Sequence, residues 1–155
     1  MAYFCKHYPD KDELSNARVT KMVYLADWKA AIDQGEQLTN ITWRFEHFGP
    51  FVYDVRDMVV DDPDFEIVPT RNMYGAHKEL LRVSERVHEF PFLTEDDQKI
   101  LDFVITTSSK LNWSEFIRLV YSTYPIFSQE RYSKLDLVSL AEEYEEVAPL
   151  LDAKS

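Results

Sequence analysis

Cysteine is almost missing from this 155-residue sequence, where Cys5 stands alone. No internal disulfide can form, and a single thiol fits a reducing compartment. Glycine is nearly as scarce, and three scattered residues cannot build a GxGxxG or Walker-type loop around a phosphate. No GxSxG elbow marks a serine nucleophile. His7, His47, His77 and His88 show no HExxH, HxH or Cys/His ligand spacing, so neither a metal site nor a cofactor is expected. Long apolar runs are missing too. Met1–Pro9 has no apolar core or small-residue cleavage pattern, and nothing approaches the roughly 18 continuous apolar residues of a membrane span. Positive charge is in deficit: 17 Lys and Arg against 28 Asp and Glu give a formal net charge of −11. That surface repels phosphate backbones, and no run of basic residues offsets it, which disfavours nucleic acid as a partner. The expectation is a soluble, cytoplasmic protein with no catalytic motif.

What is present is apolar and aromatic. At 45% hydrophobic and 14% aromatic residues, the chain lies far from the composition of disorder and suits one domain spanning 1–155. A domain of that size buries about 70% of its extended surface and needs no metal to fold. No repeat or flexible linker divides it, and the turn-rich stretch Pro69–Gly75 reads as a loop within the domain.

The strongest element runs from Leu14 to Gln34. Val19, Met22, Val23, Ala26 and Ala30 form one apolar stripe at helical spacing, and Ala17, Lys21, Tyr24, Trp28 and Ala31 form a second beside it. The polar remainder is narrow (Asn16, Thr20, Asp27 and Gln34), the pattern of a central helix, and Gly35 is placed to stop it. Ile41–His47 alternates as a strand does, and Pro50 suits the first turn of a further helix with Phe51, Val52, Val55, Met58 and Val59 on its apolar face. Phe65–Val68 and Glu79–Val83 read as strands joined across Asn72 and Gly75. Thr94 with Asp97, and Asn112 with Glu115, have the spacing of helix N-terminal capping boxes. Pro125 is expected to end the second of those helices, and an acidic C-terminal helix spans 136–150. The predicted fold is α+β and predominantly α-helical: a central helix within a bundle, plus a small antiparallel sheet.

Two features invite a functional reading. Lys21 lies on an apolar stripe, where a lysine either packs its stem and snorkels its charge outward or holds the charge in a groove for a partner's carboxylate or a buried carbonyl. Trp43, Phe45, Phe48, Phe51 and Tyr53 crowd around Gly49–Pro50. Most serve a core, but so short a span cannot turn all of them inward, and exposed aromatics are what protein interfaces use. A small hydrolase would need His47 to meet Asp27 or Asp54 in one pocket. A DNA-binding regulator would need a basic recognition helix, and the span Trp113–Tyr121 offers only Arg118.

Ala17–Asp27 (ARVTKMVYLAD), followed by Phe45–Val52 (FEHFGPFV), resembles the Panacea antitoxin domain, also called the SocA-like domain. That family reads T-K-L-x-Y-L-A in an early helix, then an aromatic segment ending in G-P-V. Leu93–Asp97 followed by Ile100 and Leu101 is similar to the start of its later helix, so the resemblance covers roughly Tyr8 to Pro125. Met22 stands where the family has Leu, Phe51 where it often has Val, and Ser122–Ile126 lacks its Thr-His and Pro-Trp pairs. The resemblance implies a bacterial or prophage antitoxin, not an enzyme, that neutralises a cognate toxin protein by direct binding. The alternative it leaves is an interaction or regulatory protein of a phage or mobile element. On this reading the partner docks beside the first long helix and the Gly49–Pro50 segment, with Lys21, Tyr24, Asp27, Trp28, Phe48, Gly49, Pro50, Phe51 and Tyr53 as binding residues.

Overall fold

The computed structural model describes residues 1–154, so Ser155 of the expected 1–155 domain lies outside the described residues. A short helix α1 (Ala2–His7) and a 3-10 turn (Lys11–Glu13) lead into α2 (Asn16–Gln34). There follow β1 (Trp43–Glu46), β2 (Gly49–Pro50), α3 (Asp54–Val60), β3 (Phe65–Arg71) and β4 (His77–Val83). The chain continues through α4 (Glu95–Ser108), α5 (Trp113–Ser122), α6 (Tyr124–Ser128), β5 (Lys134–Leu135) and α7 (Leu137–Asp152). The described residues thus form a predominantly helical α+β fold with two small antiparallel sheets.

Side-chain chemistry sets the helix ends. Ser15 Oγ accepts the Arg18 N–H at 3.1 Å and caps α2, and Gly35 closes it in the left-handed region at φ 74°, where a Cβ is costly. Thr94 with Asp97 on α4, and Asn112 with Glu115 on α5, form the two reciprocal capping boxes. α2 is the axis of the molecule: thirteen of its nineteen residues are buried, with α4 and α7 packed along it and α3 and β4 against it. Both apolar stripes are largely covered, and in the middle of the helix the polar remainder closes as well: Thr20 and Asp27 are fully buried, while Asn16 and Gln34 at its two ends are not. A helix covered this completely must find internal partners for its polar groups. Arg18 shows how: Nη1 donates to Tyr8 Oη at 2.8 Å, and the guanidinium lies 4.6 Å from the Phe116 ring centroid.

β1 is the middle strand of a sheet ordered β2-β1-β5, with Phe45 opposite Pro50 and Trp43 opposite Leu135. β3 and β4 form a separate hairpin in register from Phe65↔Val83 to Arg71↔His77, and Asn72 Oδ1 accepts the N–H groups of Tyr74 and Ala76 in its turn. Three sequence expectations need correction. Pro50 does not open a helix: it lies in the edge strand β2, and the Phe51 N–H donates to Arg44 O at 3.1 Å. An edge strand tolerates the missing proline N–H, and α3 begins only at Asp54. Met58 is exposed, so α3 buries Val55 and Val59 and no wider face. Pro125 does not end α5, which stops at Ser122; it sits in the first turn of α6 instead.

Gly49 turns the β1–β2 hairpin at φ 98°, and a Cβ there would meet Tyr121 Cε2 at 3.2 Å. Gly49→Ala therefore combines backbone strain with a tight contact. It is expected to cost about 1–3 kcal/mol in chemical denaturation, whereas Gly75→Ala, also at positive φ but with nothing within 4 Å, is expected to cost less.

Candidate functional site

Three polar residues of α2 hold the segment that carries the aromatic cluster. Asp27 is the most deeply engaged. Its carboxylate accepts the Trp43 indole N–H at 2.8 Å, the Thr39 hydroxyl at 2.5 Å, the Thr39 N–H at 3.0 Å and the Gln37 carboxamide at 3.4 Å. Burial pushes this carboxyl above its ordinary range, and the donors from Thr39 and Trp43 oppose that shift. Tyr24 Oη lies 2.8 Å from Thr123 Oγ1, and its ring meets Trp43 edge-on at 5.5 Å. The helix thereby grips the Gly35–Ile41 connection, β1 and the α5–α6 junction. Trp28 packs edge-on against Tyr144 of α7 at 5.8 Å, on the bundle side.

Lys21 is the third. Its side chain does not snorkel; the residue is 3% exposed. The ammonium donates to Pro50 O at the long distance of 3.5 Å and sits 5.9 Å from the Phe51 ring centroid. Among the described residues no ion pair includes it, and burial alone pushes its pKa down to about 8. The unfolded chain keeps this proton to about pH 10.5 and the folded chain only to about 8. Between those values the unfolded state binds more protons, so this group's contribution to stability rises with pH. The span corresponds to roughly 3 kcal/mol. Lys21→Met is accordingly expected to match or exceed the wild type in urea midpoint at pH 7, and that advantage should shrink by pH 10.

Beyond Lys21 the chain surfaces. Trp43 and Phe45 are core, whereas Phe48 is 76% and Tyr53 71% exposed, with Phe51 half-buried between them. Phe51 and Tyr53 meet edge-on at 5.2 Å, and Phe48 packs against His47 at 4.5 Å. Together with Thr42, Arg44, Glu46, Val52 and Asp54 they line an open groove of about 580 Å³ between the hairpin and the start of α3. A second groove, about 410 Å³ between α2 and α4, is lined by ion-paired residues, including Lys29 with Asp33 and Lys99 with Asp96.

Behind the groove, β1 and His47 are held by residues that no sequence pattern singled out. Tyr132, in the left-handed region at φ 70°, donates its N–H to Phe45 O at 2.5 Å and accepts Arg44 Nη2 at 3.0 Å on its carbonyl. Its hydroxyl lies 3.2 Å from His47 Nδ1. Arg131 lies 5.5 Å from the Phe45 ring centroid. The hydrolase arrangement does not assemble around Asp27, which is sequestered behind Trp43. His47 and Asp54 share the groove without a hydrogen bond between them. No cluster of three or more His, Cys, Asp or Glu able to hold a metal occurs among the described residues, and none of their helices is long and apolar enough to cross a membrane.

These features define an α+β domain whose buried central helix fixes an exposed aromatic hairpin. The chain belongs to the SocA-like antitoxin family: the family model described as "Antitoxin SocA-like, Panacea domain" matches residues 19–125. The match takes in α2 from Val19 onward, the hairpin and its groove; β5 and α7 follow the matched range and complete the packing around β1 and α2. No curated protein and no solved structure matches the chain.

Proposed function

We propose that this chain is an antitoxin that neutralises a toxin protein by direct complex formation, and that the toxin docks on the aromatic groove beside Gly49–Pro50. Family membership supports the antitoxin role. The observation that carries the docking site is the exposure of Phe48 and Tyr53 on a hairpin held from beneath by Lys21, Tyr24 and Asp27. Exposed aromatics on an immobilised backbone lose little entropy on association, which is what binding hot spots require. In this reading Phe48, Phe51 and Tyr53 supply contact area, Gly49 and Pro50 set its shape, and Trp28 anchors the supporting helix. The net charge of −11 favours fast encounter with a basic toxin. The chain works by binding, with no catalytic step.

Co-expression tests this. The product of the adjacent reading frame is expected to arrest growth when expressed alone, to be tolerated with this chain, and to co-purify with it. A harmless neighbour that forms no complex would count against the reading.

A further inference from the structure

An ammonium has three N–H donors and no acceptor, and Lys21 places only one of them, at 3.5 Å on Pro50 O. Elsewhere the buried charges of α2 are well served: Asp27 accepts four hydrogen bonds, and Arg18 has a hydroxyl, a carbonyl and an aromatic face. Lys21 is the exception, although removing a charge from water without a counter-charge is among the most expensive acts in folding. Its position explains what could compensate. Phe51, half-buried, lies 5.9 Å from that cation and also lines the aromatic groove, so one ring touches both.

We propose that the docked partner supplies a carboxylate to the Lys21 ammonium, reached from the groove past the Phe51 ring. The inference rests on the docking reading above and names the chemistry of the docked segment: an acidic side chain flanked by apolar ones. Charge complementarity singles out this place. A chain of net charge −11 repels an acidic segment from most of its surface. Within the groove, Arg44 and Glu46 neutralise each other at 3.0 Å, and Asp54 lies in the first turn of α3, where the helix dipole favours it. The cation beneath is therefore the charge left to be matched. Its desolvation has already been met in folding, so an arriving carboxylate bears only its own.

The test uses the protein encoded by the adjacent reading frame as the probe. Lys21→Met is expected to weaken its binding at least tenfold. One carboxylate-to-amide substitution in the probe should do the same, with no further loss when the two are combined. In parallel, ¹³C-labelled lysine follows the Lys21 titration in the wild-type chain: a midpoint near 8 when free should move above 10 in the complex. If Lys21→Met binds normally while Phe48→Ala/Tyr53→Ala abolishes binding, the docking reading stands and this inference falls. An unmoved midpoint in the complex also overturns it, even if Lys21→Met folds poorly or binds weakly. Failure of the wild type to bind the probe removes the docking reading and this inference with it.

Discussion

Truncating Phe48 and Tyr53 to alanine in the same chain is expected to weaken toxin binding by about 100-fold or more, and to leave the thermal midpoint within about 2 °C of wild type. Both rings stand largely in solvent, so the folded chain loses little when they are removed. Interface aromatics of this kind are typically worth about 2 kcal/mol each, roughly 30-fold in affinity, and neighbouring ones are not additive. Phe51 is left intact because it also covers Lys21. The matched control lies on the other hairpin, where Met73 and Tyr74 are still more exposed. Met73→Ala/Tyr74→Ala is expected to leave binding unchanged by isothermal titration calorimetry. Equal losses from the two pairs would mean that exposed apolar surface in general, and not this groove, carries the affinity.

Asp27→Ala should have the opposite signature. It removes the acceptor for the Trp43 indole, the Thr39 hydroxyl and the Thr39 N–H at a site without solvent. Each buried donor left unpaired costs about 1–3 kcal/mol, and loss of a buried ionic hydrogen-bonded centre typically costs about 3–5 kcal/mol in all. For a chain of this size that is a fall of roughly 10 °C in midpoint. Asp27→Asn should be milder, since its carbonyl can still accept one or two of these bonds while its amide group opposes the remaining donors. Binding should weaken in proportion to the fraction unfolded. Near-wild-type stability of Asp27→Ala in urea denaturation would contradict the role given to this residue.

Local chemistry explains which parts of this molecule were legible in its sequence. The C-terminal end of α2 and the capping boxes of α4 and α5 are written in side chains that act within three or four residues, so Gly35, Thr94 and Asn112 mark them directly. The β3–β4 hairpin shows in its alternation and its Asn–Gly turn. Pro50 reads as a helix start in sequence and is an edge-strand residue in the fold, because a proline suits both places and only the hydrogen bond from Phe51 to Arg44 decides between them. The burial of Asp27 does not follow from its place in the narrow polar remainder of α2, because a helical period separates faces without saying what covers each one. Its partners stand ten to sixteen residues away, Gln37 and Thr39 in a connection with no regular structure and Trp43 at the start of β1. Tyr132 was invisible for a stronger reason: it meets His47 across 85 residues of chain. The aromatic cluster around Gly49–Pro50 is plain in sequence, whereas its division into core (Trp43, Phe45) and surface (Phe48, Tyr53) depends on how β1 packs against the rest of the chain.

The central claim is that α2 holds the Gly49–Pro50 hairpin as a rigid docking edge for a toxin. Hydrogen–deuterium exchange on the purified chain, with and without the product of the adjacent reading frame, tests it most directly. Complex formation should slow exchange between residues 42 and 54 and leave the β3–β4 tip at residues 72–75 unchanged. Protection confined to α7 or to that tip, with exchange across 42–54 unaltered in a stable complex, would contradict the account.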